Sequence, residues 1–162
     1  MSVKVSVQDC LSQIELFKPK VATLVSSVSS FQSTDGPDKA LKIHNEALAV
    51  KDGIEKIKPY VINVQRPVSV ADGNTTLQAI KDLQKSWNIV LDHAIKKKPY
   101  FDALPVGNIN ALFAQDLKLT YDAMLSLANA CIDAAPAELQ AESKATKKEF
   151  EDAIKKVLAV YQ

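Results

Sequence analysis

The stretch from Ser6 to Gln32, SVQDCLSQIELFKPKVATLVSSVSSFQ, decides the fold class. Its apolar positions Cys10, Ile14, Phe17, Val21, Leu24, Val28 and Phe31 advance alternately by four and three residues, which lays one continuous stripe along a helix. The same rhythm returns along the rest of the chain. After Ser33-Thr34-Asp35-Gly36, with Pro37 suited to a first helical turn, it runs through Ala40, Ile43, Ala47, Val50, Ile54, Ile57 and Val61. After Asp72-Gly73-Asn74 it carries Ile80, Leu83, Trp87, Val90, Ala94 and Phe101. After Pro105-Val106-Gly107-Asn108 it takes in Phe113, Leu117, Thr120, Met124, Leu127 and Cys131. Beyond Pro136 it passes Leu139, Ser143, Thr146, Phe150, Ala153, Val157 and Val160.

This spacing predicts helices over residues 6–32, 37–63, 75–102, 108–134 and 137–161 in one domain spanning 1–162. Each would be about 40 Å long at 1.5 Å per residue. Near-equal helices joined by short Pro/Gly loops imply an all-α, five-helix antiparallel up-and-down bundle. Strand-type alternation is nowhere sustained, and Gly36, Gly73 and Gly107 punctuate the periodic stretches. Helix four is apolar over most of its girth, because Leu112, Leu119, Ala123 and Ala130 widen its stripe. That width predicts a central helix surrounded by the others. Pro19, Pro59 and Pro99 recur at intervals of forty residues, each expected to kink or end its helix. They fall at unlike places in their helices, which speaks against a true repeat.

Composition narrows the function. Twenty Lys+Arg against nineteen Asp+Glu leave a net charge of +1, which argues against holding nucleic acid by bulk charge. With 47% hydrophobic and 24% charged residues the chain can bury a core. No run of about 18 apolar residues is present, so no membrane span is expected. Met1-Ser2-Val3-Lys4 lacks the apolar core of a signal peptide, which fits either a cytosolic protein or a mature domain given a start codon.

Catalytic and metal chemistry find little support. His44 sits at a stripe edge and His93 projects outward in the helical phase, and neither follows a Glu at the spacing of di-iron bundles. Phosphate loops, dinucleotide fingerprints and nucleophile elbows are missing. The chain therefore reads as a non-enzyme without metal or cofactor, with Lys96-Lys97-Lys98 as a solvated face. Cys10 and Cys131 lie about a turn in from helix ends that share one end of the bundle. They could form a disulfide worth roughly 4–5 kcal/mol in the chain-entropy model, or remain as buried free thiols. Asn74-Thr75-Thr76 is a glycosylation sequon in an expected loop.

The functional reading rests on hydroxyls placed on inward stripes. Across a tight turn near Ala135-Pro136, facing residue numbers on helices four and five sum to about 270. Ser143 then faces Leu127 and Thr146 faces Met124, with Thr120 one turn further on and Ser126 nearer the wet edge. Such hydroxyls can simply bond back to the carbonyl four residues earlier. They can also be the few convergent polar groups of a small-molecule site in a hydrophobic cavity. A fatty acid suits the second reading. Its tail would lie among the inward stripes, through Phe17, Val21, Leu24, Val28, Ile43, Ala47, Val50, Ile54, Leu83, Trp87, Phe113, Leu117, Met124, Leu127 and Phe150. Each buried methylene contributes about 0.8 kcal/mol. Its head would bond to Ser143, Thr146, Ser126 and Thr120. With no Lys or Arg on those stripes, the carboxylate would lack a counter-ion and would take up a proton more readily.

Several features together resemble one family. They are the Val- and Ser-rich first helix, Val21-Ala22-Thr23-Leu24-Val25-Ser26-Ser27-Val28-Ser29-Ser30-Phe31, the Ala40-Leu41 start of helix two and the five-helix layout. The chain is similar over essentially its whole length to the fungal hydrophobic-surface-binding protein A family, which includes the lipid-binding domains of cell-wall galactomannoproteins. The resemblance implies a helical bundle with a central tunnel for long-chain fatty acids such as arachidonic or palmitic acid, and a role in fungal virulence. It implies that hydroxyls on the last two helices hold the carboxylate, with Ser126, Ser143 and Thr146 matching in type and place. It also implies secretion to the wall or medium, in keeping with Asn74; the visible N-terminus is then that of a mature domain given a start codon. A monomer or weak dimer is expected. Two rivals to lipid sequestration stand: a bundle that spreads its stripes on a hydrophobic interface, and one that offers a groove to a partner helix.

Overall fold

The computed structural model describes residues 3–162. Five long helices build it: α1 (Val7–Ser30), α2 (Pro37–Ile62), α3 (Val70–Asp102), α4 (Ile109–Ala134) and α5 (Gln140–Tyr161), the last preceded by a 3₁₀ turn (Ala137–Leu139). The sequence explains most of the ends. Ser6 opens α1 with a capping box, its Oγ accepting from the Asp9 N–H at 3.0 Å while the Asp9 carboxylate accepts from the Ser6 N–H at 2.8 Å. Pro37 begins α2, where a missing N–H costs nothing. Asn108 precedes α4 with φ of 68°, a left-handed conformation that Asn tolerates well.

Helix α3 departs from expectation at its start. It begins at Val70, five residues before the expected 75, with the Ser69 side chain accepting from the Asp72 N–H. Asp72-Gly73-Asn74 is therefore a first helical turn and not a loop. Gly73 serves close approach: a Cβ there would stand 2.7 Å from Leu139 Cδ1 and 3.0 Å from Pro136 Cδ. The sequon asparagine Asn74 is exposed, but on a helix. Pro19, Pro59 and Pro99 all lie inside helices that continue beyond them.

The helices close into a ring. α1 packs between α2 and α3, α2 against α4, α4 against α5, and α5 back against α3. This corrects the expectation that α4 is surrounded; it is one stave among five. Its apolar width has a different cause. The first half of α4 is buried through Ile109, Phe113, Leu117 and Thr120, but from Tyr121 to Ala128 the residues are only half-buried or exposed. There the helix borders open space along the axis, and Leu119 remains exposed outside. At the end of the ring where α1 finishes, rings of Phe31, Phe101, Phe113 and Tyr161 meet in a chain of centroids 4.6, 4.7 and 6.5 Å apart, an aromatic plug. The Tyr161 hydroxyl fastens it by donating to the Ala94 carbonyl at 2.6 Å.

Candidate functional site: two chambers along the bundle axis

Two stacked chambers, each partly open to solvent, lie within the ring. The larger, about 150 Å³, lies toward the end where α1 begins, between Cys10, Ile14 and Phe17 of α1, Ile54 and Ile57 of α2, Leu83 of α3, Met124 and Leu127 of α4, and Phe150 of α5. The smaller, about 50 Å³, lies toward the aromatic plug, between Leu24 and Val28, Ile43 and Ala47, Val90 and Ala94, and Phe113 and Leu117. Both are almost wholly apolar. Among the described residues Trp87 alone borders both, and the indole stands between them, 3% exposed.

Polar groups on the chamber walls are few and placed with consequence. Among the described residues, the four buried polar side chains all border a chamber: Gln84 and Thr146 the first, Asp116 and Thr120 the second. Ser143 and Lys147 join the first-chamber wall on α5. The Thr146 hydroxyl donates to the Glu142 carbonyl at 2.9 Å, so its proton is already used while its lone pairs remain available. The Lys147 side chain is 27% exposed, and its ammonium donates to Asn129 Oδ1 at 2.8 Å and lies 3.6 Å from the Glu151 carboxylate. Beside the second chamber, Asp116 accepts from His44 Nδ1 at 2.7 Å, tying α4 to α2. Burial raises the Asp116 carboxyl above its ordinary range, and the His44 contact only partly offsets that. Cys10 and Cys131 are free thiols, both on the first-chamber wall. Burial pushes Cys131 up to about 12, with Cys10 adding to the effect.

Residues 7–133 match the family model described as hydrophobic surface binding protein A. The chain belongs to the hydrophobic surface binding protein A family. Several solved structures share the family's architecture. AFMP4P in complex with palmitic acid has a TM-score of 0.87 at 20% identity, covering 96% of this chain and 99% of that one. Ligand binding domain 1 of the Penicillium marneffei MP1 protein, complexed with arachidonic acids, gives 0.82 at 16% identity over 93% and 95%. Domain 2 of the same protein, also with arachidonic acids, gives 0.84 at 14% identity over 99% and 97%. At these identities the likeness is one of fold. No curated protein matches the chain by sequence.

Within this member of the family, the residues expected to hold a tail divide between the two chambers. Phe17, Val21, Val50, Ile54, Leu83, Met124, Leu127 and Phe150 border the first, and Leu24, Val28, Ile43, Ala47, Phe113 and Leu117 the second, with Trp87 between. The expected head-group hydroxyls do not stay together. Ser143 and Thr146 border the first chamber, Thr120 borders the second, and Ser126 borders neither. The α4–α5 pairing brings Ser143 and Thr146 to the chamber wall that Leu127 and Met124 share, but Thr120 lies past Trp87 toward the plug.

Sequence reasoning missed Lys147 and Gln84. Lys147 corrects the expectation of a wall without a cation: because α5 borders open space, residues one position off its stripe also reach the wall, and the aliphatic lysine stem packs along it. Gln84, four residues after Ile80 and three before Trp87, sits on the stripe itself, a signal hidden by the apolar Leu83 beside it. Both histidines are partly buried, His44 at the stripe edge as expected and His93 less outward than its helical phase implied. His44 bonds to the buried Asp116, and His93 is half-buried with its Nδ1 unpaired. Among the described residues no cluster of His, Cys, Asp or Glu could hold a metal ion, and no helix is long and apolar enough to cross a membrane.

Proposed function

We propose that this chain binds and sequesters long-chain fatty acids, without chemistry, along the axis of the bundle. The observation that carries the reading is an apolar chamber of about 150 Å³ with Ser143, Thr146 and Lys147 grouped on one wall. An acyl chain has only dispersion and hydrophobic contacts to make, and this wall offers those nearly everywhere. A carboxylate needs donors: the α5 hydroxyl of Ser143 supplies one, and the Lys147 ammonium, with three N–H groups, keeps capacity beyond its contacts with Asn129 and Glu151. Palmitic and arachidonic acids, the ligands named for structures of the same fold, are the first to try. Action outside the cell, at the wall or in the medium, accords with this reading, and Asn74 is exposed as a glycan acceptor requires.

Titration of delipidated protein with palmitic acid, read by displacement of a fluorescent acyl probe, tests the proposal. Saturable binding is expected. Lys147→Met should weaken the acid by about 1 kcal/mol, the scale of a partly exposed charge contact, and leave the matching fatty alcohol unchanged. Failure to saturate would refute binding, and equal losses for acid and alcohol would refute the head-group assignment.

A second reading, adsorption to hydrophobic surfaces, has two observations in its favour. The matching family model is described by hydrophobic surface binding, and Leu16, 68% exposed, with Leu41, Ile62 and Ile89, each about half exposed, are apolar side chains spread over α1, α2 and α3 that such a surface would meet. Adsorption that persists after the chambers are saturated with fatty acid would assign it to these outer side chains.

A further inference from the structure

Among the described residues Trp87 alone is common to the two chambers, and it is the only tryptophan in the sequence. Its position is odd for a structural tryptophan. The indole Nε1–H is buried and has no acceptor among the described residues, although a buried tryptophan usually finds one. An N–H left unpaired penalises this rotamer, so packing alone holds the ring between the chambers. The second chamber beyond it is bordered by the small residues Ala47 and Ala94, which leave space for a ring that turns.

Size gives such a turn a use for a long guest. A dry apolar cavity of roughly 150 Å³ takes a benzene-sized molecule, and a long-chain fatty acid has more than twice as many carbons. Polarity decides which end goes deeper. On the second-chamber wall the Asp116 carboxyl is an acceptor already bonded to His44 and offers a carboxylate no donor, whereas a terminal methyl meets Leu24, Val28, Phe113 and their neighbours.

Building on the fatty-acid reading, we propose that Trp87 is a movable partition that sets chain-length preference. Acyl chains too short to reach the indole stop in the first chamber. Longer ones displace it and thread their methyl end into the second, toward the aromatic plug, with the carboxyl left at Ser143 and Lys147.

A length series of saturated fatty acids on the delipidated full chain tests this, with Trp87 emission as the internal reporter. Affinity should climb about fourfold per added methylene, pause at the length that first meets the indole, and climb again. Bromines near the methyl end of a long acid should quench Trp87 strongly, and bromines next to the carboxyl weakly. Trp87→Ala should abolish the pause. Ala47→Leu, which fills the second chamber and keeps the indole, should weaken long acids at least tenfold and leave short ones unchanged. The proposal is overturned if length dependence is smooth in both wild type and Trp87→Ala, if Ala47→Leu affects all lengths alike, or if carboxyl-side bromines quench best. Absence of binding at every length would overturn the fatty-acid reading along with it; normal binding with an unresponsive Trp87 would overturn the partition alone.

Discussion

Gly53→Ala separates the space inside the bundle from the stability of its walls. A Cβ at Gly53 on α2 would stand 2.5 Å from Phe17 Cδ2 and 2.9 Å from Phe17 Cε2. Carbon atoms in comfortable contact lie about 3.5–4.0 Å apart, so the ring must retreat by roughly an ångström. In a filled core such crowding costs about 1–3 kcal/mol. Here Phe17 borders the first chamber, and its ring has space to move into. Alanine in a helix interior also contributes about 0.5–1 kcal/mol relative to glycine. The two effects nearly cancel in delipidated protein, and urea unfolding should find the variant within about 1 kcal/mol of wild type. Once a fatty acid is loaded, ring and acyl chain compete for the same volume. The crowding then returns as lost affinity of about 1–3 kcal/mol, roughly 5- to 150-fold. Probe displacement on the same samples measures it. A variant that loses about 3 kcal/mol of delipidated stability yet binds like wild type would refute the reasoning, because the ring would then have no space to enter and the guest no claim on it.

Further outcomes concern the buried titratable groups. With its thiol pushed up to about 12, Cys131 should react with iodoacetamide at pH 8 on the order of a thousandfold more slowly than an ordinary thiol. Mass spectrometry of timed quenches reads the rate, and labelling at the ordinary rate would contradict the burial. Asp116 is raised by burial, so the native state holds its proton to a higher pH than the unfolded chain does. Stability from this group is therefore greatest in acid and is lost as pH rises through the raised value. Wild type should accordingly gain on Asp116→Asn as pH falls through that window toward the ordinary carboxylate range. Denaturant midpoints at several pH values check this, and a gap moving the other way would show that the His44 contact outweighs burial.

The fold lay open in the sequence because five stripes with a helical period allow little else. Cys10, Ile14, Phe17, Val21, Leu24 and Val28 are all buried on α1, as their spacing requires. The start of α3 was harder to place. Gly73 resembles loop punctuation, and its real task, admitting Leu139 and Pro136, depends on a contact distant in sequence. The Ser69 cap with Asp72 after it was the available local signal. The place of α4 was not legible at all, since a wide apolar arc looks alike whether it faces other helices or open space. That ambiguity also hid the chamber polarity. Lys147 and Gln84 become wall residues only because the centre is not filled by a helix, and Thr120 parts from Ser143 because Trp87 stands between the chambers.

The central claim, that the axis of this bundle accommodates an acyl chain, is tested most directly by isotope-filtered NMR of delipidated protein loaded with ¹³C-labelled palmitic acid. Nuclear Overhauser contacts are expected from acyl methylenes to Leu83, Met124, Leu127 and Phe150, which face one another across the first chamber from three helices. Contacts confined to exposed side chains such as Leu16, Leu41 and Ile89 would contradict the account and move the lipid to the outer surface.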